Sequence, residues 1–184
     1  LPPSASIAEE LDHRVDRALR TQGLVSVDSI AYLRAKLKPP VRRAIERRVR
    51  RKELVPVHIE GAAKWQHWVP PETLEQSLHP DDDWVHILSP FDPLRRRRER
   101  VQLIFGYAHI FEAYVPKSKR VFGYFACPVL VGDEVVAAID LKTDRERQKL
   151  LIQKWTWVGK GSARAHKRQI ESALDKFERF QLAR

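Results

Sequence analysis

Cysteine, methionine and long apolar runs are what this chain of 184 residues most conspicuously lacks. Its one cysteine, Cys127, excludes an internal disulfide and any cysteine-based zinc site. A reducing, cytoplasmic compartment fits that usage. No apolar stretch approaches the ~20 residues that cross a bilayer. Glu9, Glu10 and Asp12 stand where a secretory leader would need its apolar run, so neither a membrane span nor a signal peptide is expected. Methionine is absent and the first residue is Leu1, which points to a piece of a longer chain. Acid is in deficit, with 34 Lys and Arg against 24 Asp and Glu, giving a net charge of +10. That balance favours a polyanionic partner, nucleic acid ahead of an anionic membrane. The hydrophobic content of 43% is enough for a buried core.

What is present divides into two segments, 1–78 and 79–184. The first reads helix, helix, helix, hairpin. Ser6 with Glu9 three residues later forms a capping-box pattern. Ile7, Leu11, Val15, Ala18 and Leu19 follow at helical spacing, and Gly23 is a C-cap glycine. A second helix is expected from Ser26 or Asp28, with Ile30, Leu33 and Leu37 on one face and Pro39-Pro40 ending it. A third runs from Pro40 to about Lys52 over the stripe Val41, Ala44, Ile45 and Val49. Extended runs 54–59 and 64–69, with Glu60-Gly61 between them, make a hairpin. That order describes a winged helix, a variant of helix-turn-helix.

The third helix carries the strongest chemical signal. Between Arg34 and Lys52 there are ten basic residues and one acid, Glu46. Arg43, Arg47, Arg50 and Arg51 are placed opposite the apolar stripe, where a recognition helix would present guanidinium groups to phosphates or guanine edges, and Arg42 beside them is a further DNA-binding candidate. A solvated surface helix mixes signs, whereas this segregation repels itself without a polyanion. Arg43, Arg47 and Arg51 are expected to be exposed and replaceable at little cost in stability. Lys64 and Trp65 are candidate wing contacts, and Trp68 is assigned to core packing.

After an acidic connector at 79–84, β-branched and aromatic residues dominate. Runs 85–88, 101–115, 121–131, 134–141 and 149–158 suggest about five antiparallel strands in a sheet or small barrel. Turns are placed at 116–118 and Gly132-Asp133. A closing helix carries Ile170, Ala173, Leu174 and Phe177. The fold class expected is therefore α+β, a winged helix-turn-helix domain followed by a β-rich, small barrel-like domain with a C-terminal helix.

The run Leu88-Ser89-Pro90-Phe91-Asp92-Pro93-Leu94, followed by an arginine cluster, resembles the C-terminal half of the YcaQ/AlkZ family of winged-helix DNA glycosylases. The resemblance continues through Phe105-Gly106-Tyr107, Glu112-Ala113-Tyr114-Val115-Pro116, Lys119-Arg120 and Gly123-Tyr124. It extends through Pro128-Val129-Leu130 and Gly132-Asp133 to the stretch from Ile139 to Arg145. It implies repair of alkylated or crosslinked DNA and tandem winged helices joined to a β-rich domain. The family's catalytic motif, Gln-x-Gln or Gln-x-Asp, occurs nowhere in this sequence. Ser26 in the segment Ser26-Val27-Asp28 is read as a helix cap, and no catalytic residue is assigned.

The resemblance favours a phosphate clamp at Arg95, Arg96, Arg97 and Arg98 over a solvated loop. Lys117, Lys119 and Arg120 are placed at a hairpin tip within reach of a DNA backbone. His86, Asp92 and Asp140 match no metal-ligand spacing, and Asp92 is read as a turn residue. Double-stranded DNA is the expected partner, with no metal, no small-molecule cofactor and no membrane, and the oligomeric state is open. A transcriptional regulator with a β-rich effector or dimerisation domain is the alternative, since winged helices serve both functions.

Overall fold

Ser6 caps the first helix, α1 (Ile7–Gln22), in a computed structural model that describes residues 5–62, 65–76, 84–94, 98–158 and 163–183. The Ser6 hydroxyl accepts from the Glu9 N–H, and the Glu9 carboxylate accepts from the Ser6 N–H at 2.8 Å. Gly23 closes α1 with φ of 66°, which a side chain would resist. The capping box and the glycine stop stand where the sequence places them.

The described residues divide into two compact units, 1–78 and 79–184. In the first, α1 is followed by α2 (Val27–Ile30), a 3-10 turn (Ala35–Leu37), α3 (Lys38–Arg50), β1 (Val55–Val57), β2 (His67–Val69) and a short α4 (Glu72–Glu75). Strands β1 and β2 pair antiparallel, Val55 opposite Val69. Val25 adds an antiparallel bridge to Trp68, so the chain between α1 and α2 lies against the hairpin. Leu11, Val15, Val25, Val41, Ala44, Ile45, Leu54 and Trp68 close one core. Trp68 is in it, as expected.

The long second helix is not there. Ser26 does cap α2, accepting from the Ser29 N–H, but the helix ends at Ile30. Leu33 lies at φ of 59° and is 87% exposed, off the apolar face its spacing suggested. The prolines in the first turn of α3 set where that helix begins. The chain between α2 and α3 must therefore turn, and Leu33 takes the left-handed conformation that turns it.

The second unit contains β3 (Val85–Ile87), α5 (Arg98–Phe105), β4 (Ala126–Val131), β5 (Glu134–Asp144), β6 (Lys149–Trp157) and α6 (Lys167–Leu182). The four strands form one antiparallel sheet in the order β3-β4-β5-β6. The barrel-like expectation is corrected, because this sheet is open. One expected strand, in 101–115, is instead helix α5 followed by irregular chain. Its Val101 and Phe105 lie at i and i+4, where a short apolar run is ambiguous between strand and helix. Phe105 packs with Leu88, Leu130 and Val135. Helix α6 lays Ile170 and Leu174 onto the sheet, against β3, β5 and β6, so one face is covered without closure. No helix among the described residues is long and apolar enough to cross a membrane.

Candidate nucleic-acid interface

Helix α3 owes its start to Pro39 and Pro40 and its orientation to Val41, Ala44 and Ile45, which are buried against α1 and α2. Its arginines then divide into two sets. Arg47 donates to both carboxylate oxygens of Asp12 on α1, at 2.9 Å each. Arg48 donates to Asp12 at 3.2 Å and to Asp16, and its side chain is only 12% exposed. The hydrogen bond from Arg48, reinforced by its charge, holds the Asp16 carboxyl below its ordinary value of 3.8. Hydrogen bonding to Asp16 raises the Arg48 guanidinium in turn, against the cost of burial. These two arginines fasten α3 to α1.

Arg42, Arg43, Arg50 and Arg51 are exposed. Among the described residues only Arg51 of these four pairs with a carboxylate, Glu53 at 3.9 Å, a weak surface pair. The expectation that Arg47 is a freely exposed member of this face is corrected. It is half-buried, because it follows the buried Ala44 by one turn and reaches Asp12 on α1.

Arg42 lines a recess of about 550 Å³ with Ser26, Asp28, Lys38, Trp65, Gln66 and Trp68. Lys38 pairs with Asp28 at 2.7 Å on its rim. Trp65 is half-buried, and its carbonyl lies 3.1 Å from the His67 Nδ1. Lys64 lies outside the described residues, as do Arg95, Arg96 and Arg97. Arg98 opens α5.

In the second unit Lys117 and Lys119 are exposed on a 3-10 turn (Lys117–Lys119) rather than on a β-hairpin. Arg120 donates to the Val115 carbonyl at 2.8 Å and stands 5.0 Å from the Tyr124 ring centre. Two buried carboxylates shape this region. Glu112 accepts from the N–H groups of Val121, Phe122 and Gly123 at 2.8, 2.6 and 3.1 Å. Asp140 accepts from Tyr124 and Phe125 at 2.7 and 3.0 Å. At Gly123, φ is 134°, and a Cβ there would run into the Asp140 carboxylate. Asp92 accepts from the Leu94 N–H at 2.8 Å, the turn role expected of it.

His86, Asp92 and Asp140 do not form a metal cluster. Among the described residues no group of three or more His, Cys, Asp or Glu could hold a metal ion. Sequence reasoning missed Tyr124, Lys142, Arg145 and Lys154, which share a recess with Lys117 and Arg120. Lys142 and Lys154 lie on neighbouring strands, and a β5-to-β6 pairing register would have been needed to find them.

Each unit presents a basic surface whose charge suits a polyanion. No solved structure matches the chain. The model of the AlkZ-like DNA glycosylase family matches residues 2–180, nearly the whole sequence, and the chain belongs to that family.

Proposed function

We propose that this chain is a DNA-holding part of a DNA-repair glycosylase, with the first unit acting as a winged helix and α3 as its duplex-binding helix. The order helix, helix, helix, hairpin supports the winged-helix reading, as does the Val25–Trp68 bridge that joins the segment before α2 to the hairpin. The observation that carries the DNA reading is the division of the α3 arginines. Arg47 and Arg48 are neutralised by Asp12 and Asp16, whereas Arg42, Arg43 and Arg50 face solvent without a carboxylate partner among the described residues. Exposed guanidinium groups at that density bind phosphate with little regard to sequence. Family membership supports DNA as the partner and repair as the setting. The glutamine motif of the family is absent, so no residue here is assigned to bond cleavage.

Changing Arg43, Arg50 and Arg51 together to alanine tests this reading. Duplex affinity is expected to fall by an order of magnitude or more, since each lost phosphate contact removes part of the electrostatic attraction. Circular dichroism and melting temperature should hardly move, because the three side chains are exposed. Unchanged duplex affinity in the folded triple variant would move the interface away from α3.

A further inference from the structure

A recess of about 780 Å³ in the second unit is lined by Lys117, Arg120, Tyr124, Lys142, Arg145 and Lys154. Its one carboxylate among the described residues, Asp140, already accepts the Tyr124 and Phe125 N–H groups and is buried. Five cations therefore face one carboxylate whose oxygens are turned to backbone donors. Lys117, Lys142, Arg145 and Lys154 are exposed and have no carboxylate partner among the described residues. Tyr124 is 55% exposed, with the Arg120 guanidinium over its ring.

We infer that this recess binds a locally unpaired DNA strand, its phosphodiesters held by the lysines and arginines and a base lying against Tyr124. The inference rests on DNA being the ligand of the chain, and it names a second site and a different form of that ligand. Three features point to a single strand. The volume exceeds what a phosphate ion fills and suits a nucleotide-sized group. The cations come from separate places, the 3-10 turn, β5, the β5–β6 turn and β6, so they line a path rather than a point. An aromatic ring beside a basic groove is how single strands are held, because a base inside a duplex has no free face to offer. The Tyr124 side of the site is anchored to the sheet. Asp140 pins the Tyr124 backbone to β5, where the β5–β6 register shifts between Asp140 and Leu141. Such a bulge re-aims the side chains beside it.

Fluorescence anisotropy on the whole chain, with labelled oligothymidylate of about ten nucleotides and a random duplex of equal length, tests the inference. Tyr124→Ala and the double change Lys142→Glu/Lys154→Glu should each weaken single-strand binding about tenfold. Tyr124→Phe should retain single-strand affinity within about twofold, because stacking needs the ring and not the hydroxyl. Duplex affinity should stay near the parental value in Tyr124→Ala. The Arg43, Arg50 and Arg51 variant should show the reverse pattern, losing duplex and keeping single strand, so the two readings fail separately. Parental single-strand affinity in a folded Tyr124→Ala protein would overturn the site. So would equal losses on duplex and single strand, which would mark one shared surface.

Discussion

Glu112 collects three backbone N–H groups from the turn ahead of β4, and a carboxylate is the side chain that suits three donors at once. Burial alone would raise its carboxyl. The three donors outweigh that, and the net shift is below the ordinary 4.5. Glu112→Gln keeps the shape but aims an amide donor at backbone donors. A loss of about 1–3 kcal/mol is expected from the buried donors left unmatched. A folded carboxyl held below its unfolded value stabilises fully above about pH 4.5, and that stability is lost as pH falls through the lowered value. Melting temperatures taken from neutral to acid pH should therefore converge for parent and Glu112→Gln. A constant gap would contradict this. Gly123→Ala should also destabilise, by strain at a positive φ and by collision with Asp140. Local partnerships of this kind are legible in sequence only when short. Asp92 caps a residue two positions on and was readable as a turn. The Asp140 partners lie 16 and 15 residues earlier, so nothing in the neighbourhood of Asp140 reveals its role.

The elements show the same limit of range. The start and stop of α1 were legible because Ser6, Glu9 and Gly23 act within one turn of the helix ends. The basic character of α3 was legible too, but not which arginines are spent on structure, since that depends on Asp12 and Asp16 of another helix. Magnitudes separate the two sets. Arg48→Ala removes a half-buried guanidinium from two carboxylates and should cost about 1.5–3 kcal/mol. Arg43→Ala should change stability by no more than about 0.5 kcal/mol. Urea midpoints of the two variants check the division, and equal midpoints would refute it. The α2 periodicity misled because Ile30, Leu33 and Leu37 fit a helix only if the backbone continues, and Leu33 turns it instead.

At the scale of the molecule, two basic surfaces occur in two units and no catalytic group has been placed on either. Hydrolysis of an N-glycosidic bond needs a group that positions or activates water at the sugar carbon. Holding substrate and transition state equally well gives no acceleration. Incubated with duplex carrying N7-alkylated guanine, this chain should release base no faster than the spontaneous rate. Faster release, lost on mutating Asp28 and retained on mutating Arg43, would place an active site beside α2. Both basic surfaces should instead act through phosphate contacts, and contacts of that kind carry a signature that base recognition lacks. Each neutralised phosphate releases condensed counterion, so affinity falls steeply with salt. The most direct measurement is the affinity of the chain for random-sequence duplex over a range of salt concentrations. About four to six phosphate contacts should give a slope near −4 to −5 in log K against log salt, with little dependence on sequence. A flat salt response, or strong preference for one sequence, would contradict binding through the exposed arginines of α3.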